Sequence, residues 1–594
     1  MRVKLRTAGR RQAPPQEREP ERCLSCQADL RDSRLYAQFR VCHACGRHYQ
    51  VPARERLAML LDPESFREHD SDITAIDPLD FVGRRPYRAR VIEAQRRTGL
   101  TEAALTGTGS LFGREVSVVV LDFAFLGGSV GVVAGERIAR AFERAARRRI
   151  PLLAVYSSAG TRMQEGLLAL FQVPRVAAAA EELRRAGVPH VAIATDPTTG
   201  LLYSGILNLA DYLVAEPGAI VGYAAMRVLQ ERGDLPELAH TSEAHLAHGL
   251  VDAVVPRPEL REVVGAVLDV LLSSYRLSPA RRVRLREAGH TYRSAWEQVQ
   301  LSRHEGRPTA AELALAIVSP FVELRGDRCG DDDPSVVAGF GSLAGQSMVV
   351  IAHNRRPKEG SGWVRAAGLR KARRAIELAV RFDLPIVTFI DTPGFDPSHG
   401  NEEAGLGASA TECLRALLTA PVPTVAVITG EGGSEAAMVL SVADRLLMLD
   451  NAVFEVVRPE DAAAILFGQG REGGPEEVAE RLRLTSHDCL RLRVIDDTVP
   501  EPREGAHVRR EEAARLLRRA LIRHLVEIQR ERPGRRLKRR LQRYRALGPV
   551  HTSLRGRIER RLAHLTDAAA GWWERVRRRT DRRGAIDVSE QIPL

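Results

Sequence analysis

No stretch of eighteen apolar residues occurs in this 594-residue sequence, so no segment is long enough to cross a bilayer as a helix. The N-terminal segment 1–22 is basic and proline-bearing but has no apolar core. That excludes a secretory signal, and a disordered tail is expected there. Cysteine is sparse, with 7 residues of which four cluster near the start; this excludes a disulfide scaffold and points to a reducing, cytoplasmic compartment. Lysine is scarce, and arginine supplies nearly all the positive charge. No Ser/His/Asp constellation, HExxH helix or nucleotide-binding lysine loop is present, and the 16 histidines are scattered. Chemistry here is therefore expected to rest on backbone N–H groups that stabilise an oxyanion, with acid–base work left to substrate or cofactor.

What is present is enough for two large cores. Hydrophobic residues make up 44% of a chain too long for a single one. The net charge of +12 gathers late, at Arg535-Arg536, Lys538-Arg539-Arg540, Arg560-Arg561 and Arg577-Arg578-Arg579. With Trp572-Trp573 among them, the segment 531–594 reads as a basic C-terminal extension. A solvated, partly disordered extension is the expectation, with a partner-binding helix or an anionic surface contact as the alternative.

Near the start, Cys23-Leu24-Ser25-Cys26 and Cys42-His43-Ala44-Cys45 are two CxxC knuckles. Four thiolates so arranged suit tetrahedral zinc in a closed, structural site, and residues 23–50 are expected to form a zinc ribbon. His43 lies between two ligands and is expected to be exposed.

The rest of the chain is written twice. Pro-led buried strands begin at Pro151 and Pro189, and again, at the same interval, at Pro385 and Pro423. Each ends in a small-residue turn: Ala159-Gly160, Thr199-Gly200, Pro393-Gly394 and Gly432-Gly433. Helical stretches separate the strands, so parallel crossovers are expected, with ligands gathered at the C-terminal strand ends. Repetition at so long a period indicates two copies of one domain. Ahead of the first pair, the strand Val116–Asp122 leads into Gly127-Gly128-Ser129, where glycines let backbone approach a ligand or pack helix on strand equally well. Residues from Val51 to about Gly109 read as a polar, partly helical connector.

These residues resemble the carboxyltransferase component of bacterial acetyl-CoA carboxylase, with its β and α subunits fused in that order. The first half matches through the four cysteines, Phe125-Leu126-Gly127-Gly128-Ser129, Arg162-Met163-Gln164-Glu165-Gly166, Thr195-Asp196-Pro197-Thr198-Thr199-Gly200 and Ala215-Glu216-Pro217. The second matches through Phe321-Val322-Glu323-Leu324, Gly326-Asp327-Arg328, Asp391-Thr392-Pro393-Gly394 and Gly430-Glu431-Gly432-Gly433-Ser434. The resemblance implies an α/β fold of two tandem crotonase-like (ClpP/crotonase superfamily) β-β-α superhelix domains behind the ribbon, at 51–270 (acyl-CoA side) and 271–530 (carboxybiotin side).

It also implies the chemistry. N–H groups at Gly160 and Gly200-Leu201 would hold the enolate oxygen of an acyl-CoA, and those at Gly394-Phe395 and Glu435-Ala436 the ureido oxygen of carboxybiotin. Gly127, Gly128, Arg162, Gly432 and Gly433 would line the two binding surfaces. Malonyl-CoA for fatty acid biosynthesis would be the product, and the ribbon would hold a structural Zn2+. With no biotinyl-lysine motif in the chain, a biotin carboxyl carrier protein and a biotin carboxylase would be partners, and a homodimer the assembly. Where the family carries Gly-Gly pairs this chain has Gly200-Leu201 and Glu435-Ala436, so Leu201 is expected to narrow the acyl pocket and an inward Glu435 to repel a carboxylate. Two other readings use the same fold: an acyl-CoA-binding paralogue with decarboxylase or thioesterase chemistry, and a silent scaffold or nucleic-acid binder built on the ribbon and the arginine tail.

Overall fold

The computed structural model describes residues 20–74, 77–223, 239–278, 293–467 and 473–547. The rest of the basic tail, with Trp572-Trp573, and most of the N-terminal segment lie outside the described residues.

Two sheets of the same design carry the fold. The first contains β1 (Arg67–His69), β2 (Ala104–Leu111), β3 (Arg114–Leu121), β4 (Leu152–Ser158), β5 (His190–Thr199), β6 (Tyr212–Ala215), β7 (Val221–Gly222) and β8 (Ala253–Val254). The second contains β9 (Phe321–Leu324), β10 (Val336–Leu343), β11 (Gln346–His353), β12 (Ile386–Thr392), β13 (Thr424–Gly433), β14 (Arg445–Leu449), β15 (Val453–Glu455) and β16 (Asp497–Val499). In each sheet an antiparallel hairpin, β2–β3 or β10–β11, opens onto a parallel run, β3-β4-β5-β6 or β11-β12-β13-β14. The parallel strands are buried on both faces, which is why they read as unbroken Val/Ile/Leu/Ala stretches.

The crossovers are the helices Val132–Arg148 and Gln172–Arg185 in the first half, and Ala366–Arg381 and Leu406–Thr419 in the second. Ala134, Ile138, Ala141, Phe142 and Ala145 fall on one face of the first of these and are buried. They meet Val119, Ala154, Ala192 and Leu213 of the sheet in one continuous core.

Part of the connector is sheet rather than linker. β2 pairs along its full length with β3 and over Thr106–Thr108 with β1, and Gly107 sits where a Cβ would lie 2.2 Å from Arg67 O. Glycine is therefore demanded there by close packing, and it masks the strand in the sequence. The helix Pro533–Arg545 places Arg536 and Arg540 of the basic extension against the second half. Arg540 is fully buried and donates to Asp444 at 3.0 and 2.7 Å and to the carbonyls of Leu417, Ala420 and Val422. These arginines are thus interior groups. Among the described residues no helix is long and apolar enough to cross a membrane.

Candidate active site

The parallel strands β4/β5 and β12/β13 slip register in the same way. Tyr156 pairs with Ala194 but Ser158 with Thr198; Ile390 pairs with Ile428 but Thr392 with Gly432. In both halves the longer strand bulges just before its end, at Thr195-Asp196-Pro197 and at Thr429-Gly430-Glu431. The bulge turns the strand end toward its neighbour's turn.

Two equivalent turn pairs result. A Cβ placed on Gly160 would lie 3.1 Å from Gly200 Cα and 3.2 Å from Leu201 N, so this glycine is what lets the two strand ends meet. A Cβ on Gly433 would lie 2.4 Å from Pro393 O, bringing Gly433-Ser434 against Pro393-Gly394 in the same way. Beyond each turn the chain pairs with one valine of a preceding loop. Val130 N–H donates to Gly160 O and Arg162 N–H to Val130 O (2.8 and 3.0 Å); Val364 N–H donates to Gly394 O and Asp396 N–H to Val364 O (both 3.0 Å). The turn glycines spend their own N–H groups locally, Gly160 on Ser158 Oγ (3.0 Å) and Gly394 on Thr392 Oγ1 (3.2 Å).

The register equates Gly200-Leu201 with Ser434-Glu435, one residue earlier than the Glu435-Ala436 pair the motif suggests. Gly200 (φ 63°) and Ser434 (φ 53°) share the left-handed conformation that starts the following helical turn. Leu201 does not narrow the pocket: its side chain is 6% exposed and belongs to the hydrophobic core, and Ala436 is likewise buried. Glu435 turns outward, its carboxylate accepting from the Ser434 hydroxyl. That hydroxyl and its own N–H hold Glu435 below the ordinary carboxylate range.

Arg162 does not reach a ligand either. Its side chain is fully enclosed, with Nη1 on Glu102 Oε2 (2.9 Å), Nη2 on Glu102 Oε1 (2.5 Å) and Ser129 O (2.6 Å), and Glu165 also close. Tyr87 closes this group by donating to Glu165 Oε1 at 2.6 Å. Arg162 therefore supports the turn at Gly160 from behind. Gly127 and Gly128, both at positive φ, bring their loop onto the same turn: Ala159 N–H donates to Gly127 O, and a Cβ on Gly128 would lie 2.0 Å from Ser157 O.

Behind the second turn stands a richer network. Glu431 and Glu455 are buried. Arg303 donates to Glu431 Oε1 (2.7 Å), Glu460 Oε1 (2.6 Å) and Glu455 Oε1 (3.3 Å). Arg355 pairs with Glu431, and Asp391 Oδ1 accepts from Glu431 N–H at 3.0 Å. In front, the Trp363 ring lies against Gly394, with Cζ3 3.1 Å from where a Cβ would stand. Sequence reasoning passed over Tyr87, Arg303, Glu455 and Trp363. Only Trp363 carried a signal, as one of 4 tryptophans beside a glycine cluster.

The four cysteine sulfurs lie within 4.8 Å of one another, with Cys23–Cys45 at 3.6 Å and Cys26–Cys42 at 3.7 Å. A tetrahedral S4 site with Zn–S of about 2.3 Å needs sulfurs about 3.8 Å apart, so the donor set fits zinc. His43 is exposed, and Tyr49 donates to Cys23 Sγ at 3.3 Å. The ribbon rests on Glu216, which is buried with Arg56, Arg257 and His48 around it; Arg257 also donates to Phe39 O in the ribbon at 2.7 Å.

A cavity of about 740 Å³ lies away from the strand ends, among the Gln172–Arg185, Ala366–Arg381 and Leu406–Thr419 helices. Its arginines are already paired: Arg184 and Arg185 with Glu181, Arg373 with Glu377, Arg381 with Asp211 and Arg415 with Glu412. That leaves little free positive charge in the cavity for a polyphosphate.

Residues 277–548 match the family described as acetyl co-enzyme A carboxylase carboxyltransferase-like, and residues 48–231 match the carboxyl transferase domain. The chain is 41% identical to the acetyl-coenzyme A carboxylase carboxyl transferase subunits beta/alpha of Salinispora tropica, over 89% of this chain and 96% of that protein. It is 35% identical to a probable biotin-dependent acyl-coenzyme A carboxylase beta3 subunit of Mycobacterium bovis, over 82% of this chain and 97% of that protein. Among solved structures, the hexameric transcarboxylase 12S, with methylmalonyl-coenzyme A bound, superposes with a TM-score of 0.64 at 20% identity; the match covers 85% of this chain and 92% of that one, a likeness of fold. The chain belongs to the acetyl-CoA carboxylase carboxyltransferase family, with β-like and α-like halves in one polypeptide.

Proposed function

We propose that this protein transfers a carboxyl group from carboxybiotin, borne by a carrier protein, to acetyl-CoA, giving malonyl-CoA. The observation that carries the reading is the matched pair of strand-end turns, each built by the same bulge and each presenting main-chain N–H groups where a helical turn begins. In the first half, the Leu201 N–H beside Gly160 suits the thioester oxygen as it gains negative charge in the enolate. In the second, the N–H groups of Phe395 and Glu435 suit the ureido oxygen, and Trp363 offers a flat apolar wall to the bicyclic ring. Preorganised donors of this kind each lower a barrier by about 3 kcal/mol. Carboxybiotin supplies both the carboxyl group and, after giving it up, the base for the acyl α-proton. The chain's own work is to hold and orient the two anions and to exclude water.

The carrier protein and biotin carboxylase are separate partners in this reading, and zinc is structural. A homodimer is supported by two exposed apolar sets close to the turns, Met163, Leu167 and Phe171 after the first and Val456, Ile465 and Leu466 after the second. The test is the reverse reaction. Purified protein with malonyl-CoA and free biotin should release CO2 and acetyl-CoA, and omission of biotin should abolish this. Biotin-independent release of CO2 would instead favour a decarboxylase, and release of free CoA a thioesterase.

A further inference from the structure

The network behind the second turn holds more acid than base. Glu431 at the end of β13 and Glu455 at the end of β15 are in direct carboxyl–carboxyl contact, at 0% and 3% exposure. Glu460 of the Pro459–Phe467 helix and Asp391 of β12 complete the acids. The bases facing them are Arg303, at the end of the Ala295–Ser302 helix, and Arg355, after β11; Arg458 stands beside Glu460. Glu455 Oε2 is buried and receives no hydrogen bond from any described residue. Two buried carboxylates in contact, one with an oxygen lacking a donor, are satisfied together by one proton between them.

Their backbone position gives that proton a task. β15 pairs with β13 as Glu431↔Val453, Gly432↔Phe454 and Gly433↔Glu455, so the Glu455 strand is the only lateral support described for the Gly432-Gly433 end of β13 beyond β12. We propose that Glu455, protonated and bonded to Glu431, is a positioning residue: the shared proton clamps β15 to β13 and so fixes the Gly433-Ser434-Glu435 turn that receives the biotin moiety. Burial, and then the adjoining Glu431 carboxylate, push Glu455 up to about 8, which keeps the proton in place near neutrality. Above that pH two negative charges share one buried space, and the strand end is released.

The inference rests on the function proposed above, and the experiment separates the two. In the biotin-dependent decarboxylation of malonyl-CoA, wild-type kcat/KM for biotin should fall about tenfold per pH unit above the clamp's titration, while KM for malonyl-CoA, bound in the other half, stays constant. Glu455→Gln cannot ionise and still donates a hydrogen bond. It should keep the neutral-pH rate within about threefold and lose the alkaline fall. Arg303→Gln removes the facing cation and should move the fall to higher pH, a readout that holds even if Glu455→Gln folds poorly.

Difference infrared spectroscopy reads the proton without activity. A protonated-carboxyl carbonyl band should be present at pH 7, vanish at pH 10 and be missing from Glu455→Gln. An unchanged alkaline fall in Glu455→Gln, or absence of that band from the wild type, overturns the proposal. If the wild type proves inactive but the band behaves as stated, the carboxyltransferase reading fails and the clamp stands.

Discussion

In the proposed carboxyl transfer, the side chain at position 435 competes with the ureido oxygen for its own N–H. The Glu435 carboxylate accepts from Ser434 Oγ and from its own N–H, occupying a donor of the second turn. Glu435→Ala frees that donor and removes a negative charge from the approach of a carboxylated ring. The expected result is a KM for biotin lowered by about three- to tenfold with little change in kcat, as suits an exposed, solvent-screened charge. An unchanged or raised KM would place the ring elsewhere. Glu216 is the opposite case, a carboxylate with no ligand and every partner buried. Glu216→Gln leaves Arg56 and Arg257 without their counter-charge and should cost about 3–5 kcal/mol, seen as a lowered denaturation midpoint. Burial alone would raise its pKa, but Arg56 and Arg257 hold it well below the usual carboxylate range. Its contribution is therefore present above the unfolded value near about 4.3 and is lost only as the pH falls below it, so the variant's deficit should shrink in acid. The motifs that hold Glu435, Glu216 and Arg162 were all legible in the sequence, but the directions of these side chains were not. Leu201 and Arg162 turn inward and Glu435 outward because of the bulge and the core around each, which no spacing of letters records.

At the scale of elements, the legible strands were those whose burial on both faces leaves an unbroken apolar run, such as Leu152–Ser158 and Ile386–Thr392. β2, Ala-Leu-Thr-Gly-Thr-Gly-Ser-Leu, escaped because packing under Phe66 and Arg67 requires glycine where a strand normally shows a β-branched residue. The arginine-rich Pro533–Arg545 helix shows the same limit: Arg540 reads as a solvated charge until Asp444 and three carbonyls are found around it. The ribbon was legible because metal geometry fixes spacing directly. Its stability should follow the metal, since its described apolar cluster is only Cys23, Leu30, Tyr36 and Cys42 with Ala28 and Tyr49 against it. Metal analysis should find one zinc per chain, and a strong chelator should produce a separate low-temperature unfolding transition while the core of the first half persists. One unchanged cooperative transition after complete zinc removal would show that the ribbon folds without it.

For the molecule as a whole, the halves are joined by groups that look unrelated in the sequence. Asp252 of the first half accepts from Arg328 and Arg374 of the second, and Gly249 and Gly326 meet backbone to backbone. This contact fixes one pairing of halves within a chain and leaves the apolar sets after the turns at Gly160 and Gly433 uncovered. In the homodimer proposed above, a two-fold partner would cover both sets at once by placing the first set of each chain on the second set of the other, which would bring the acyl turn of one protomer to the biotin turn of its partner. Leu167→Glu and Ile465→Glu should then each give monomers in sedimentation and lose decarboxylation. Complementation tests the composition of the site itself. Gly160→Val and Gly394→Val each wedge a side chain into one turn and should each be inactive. If the site is shared between chains, mixing the two after dissociation should restore about a quarter of wild-type activity, since half the dimers are mixed and each of those has one intact site of two. If both turns of a site belong to one chain, every site in the mixture carries a blocked turn and no activity returns.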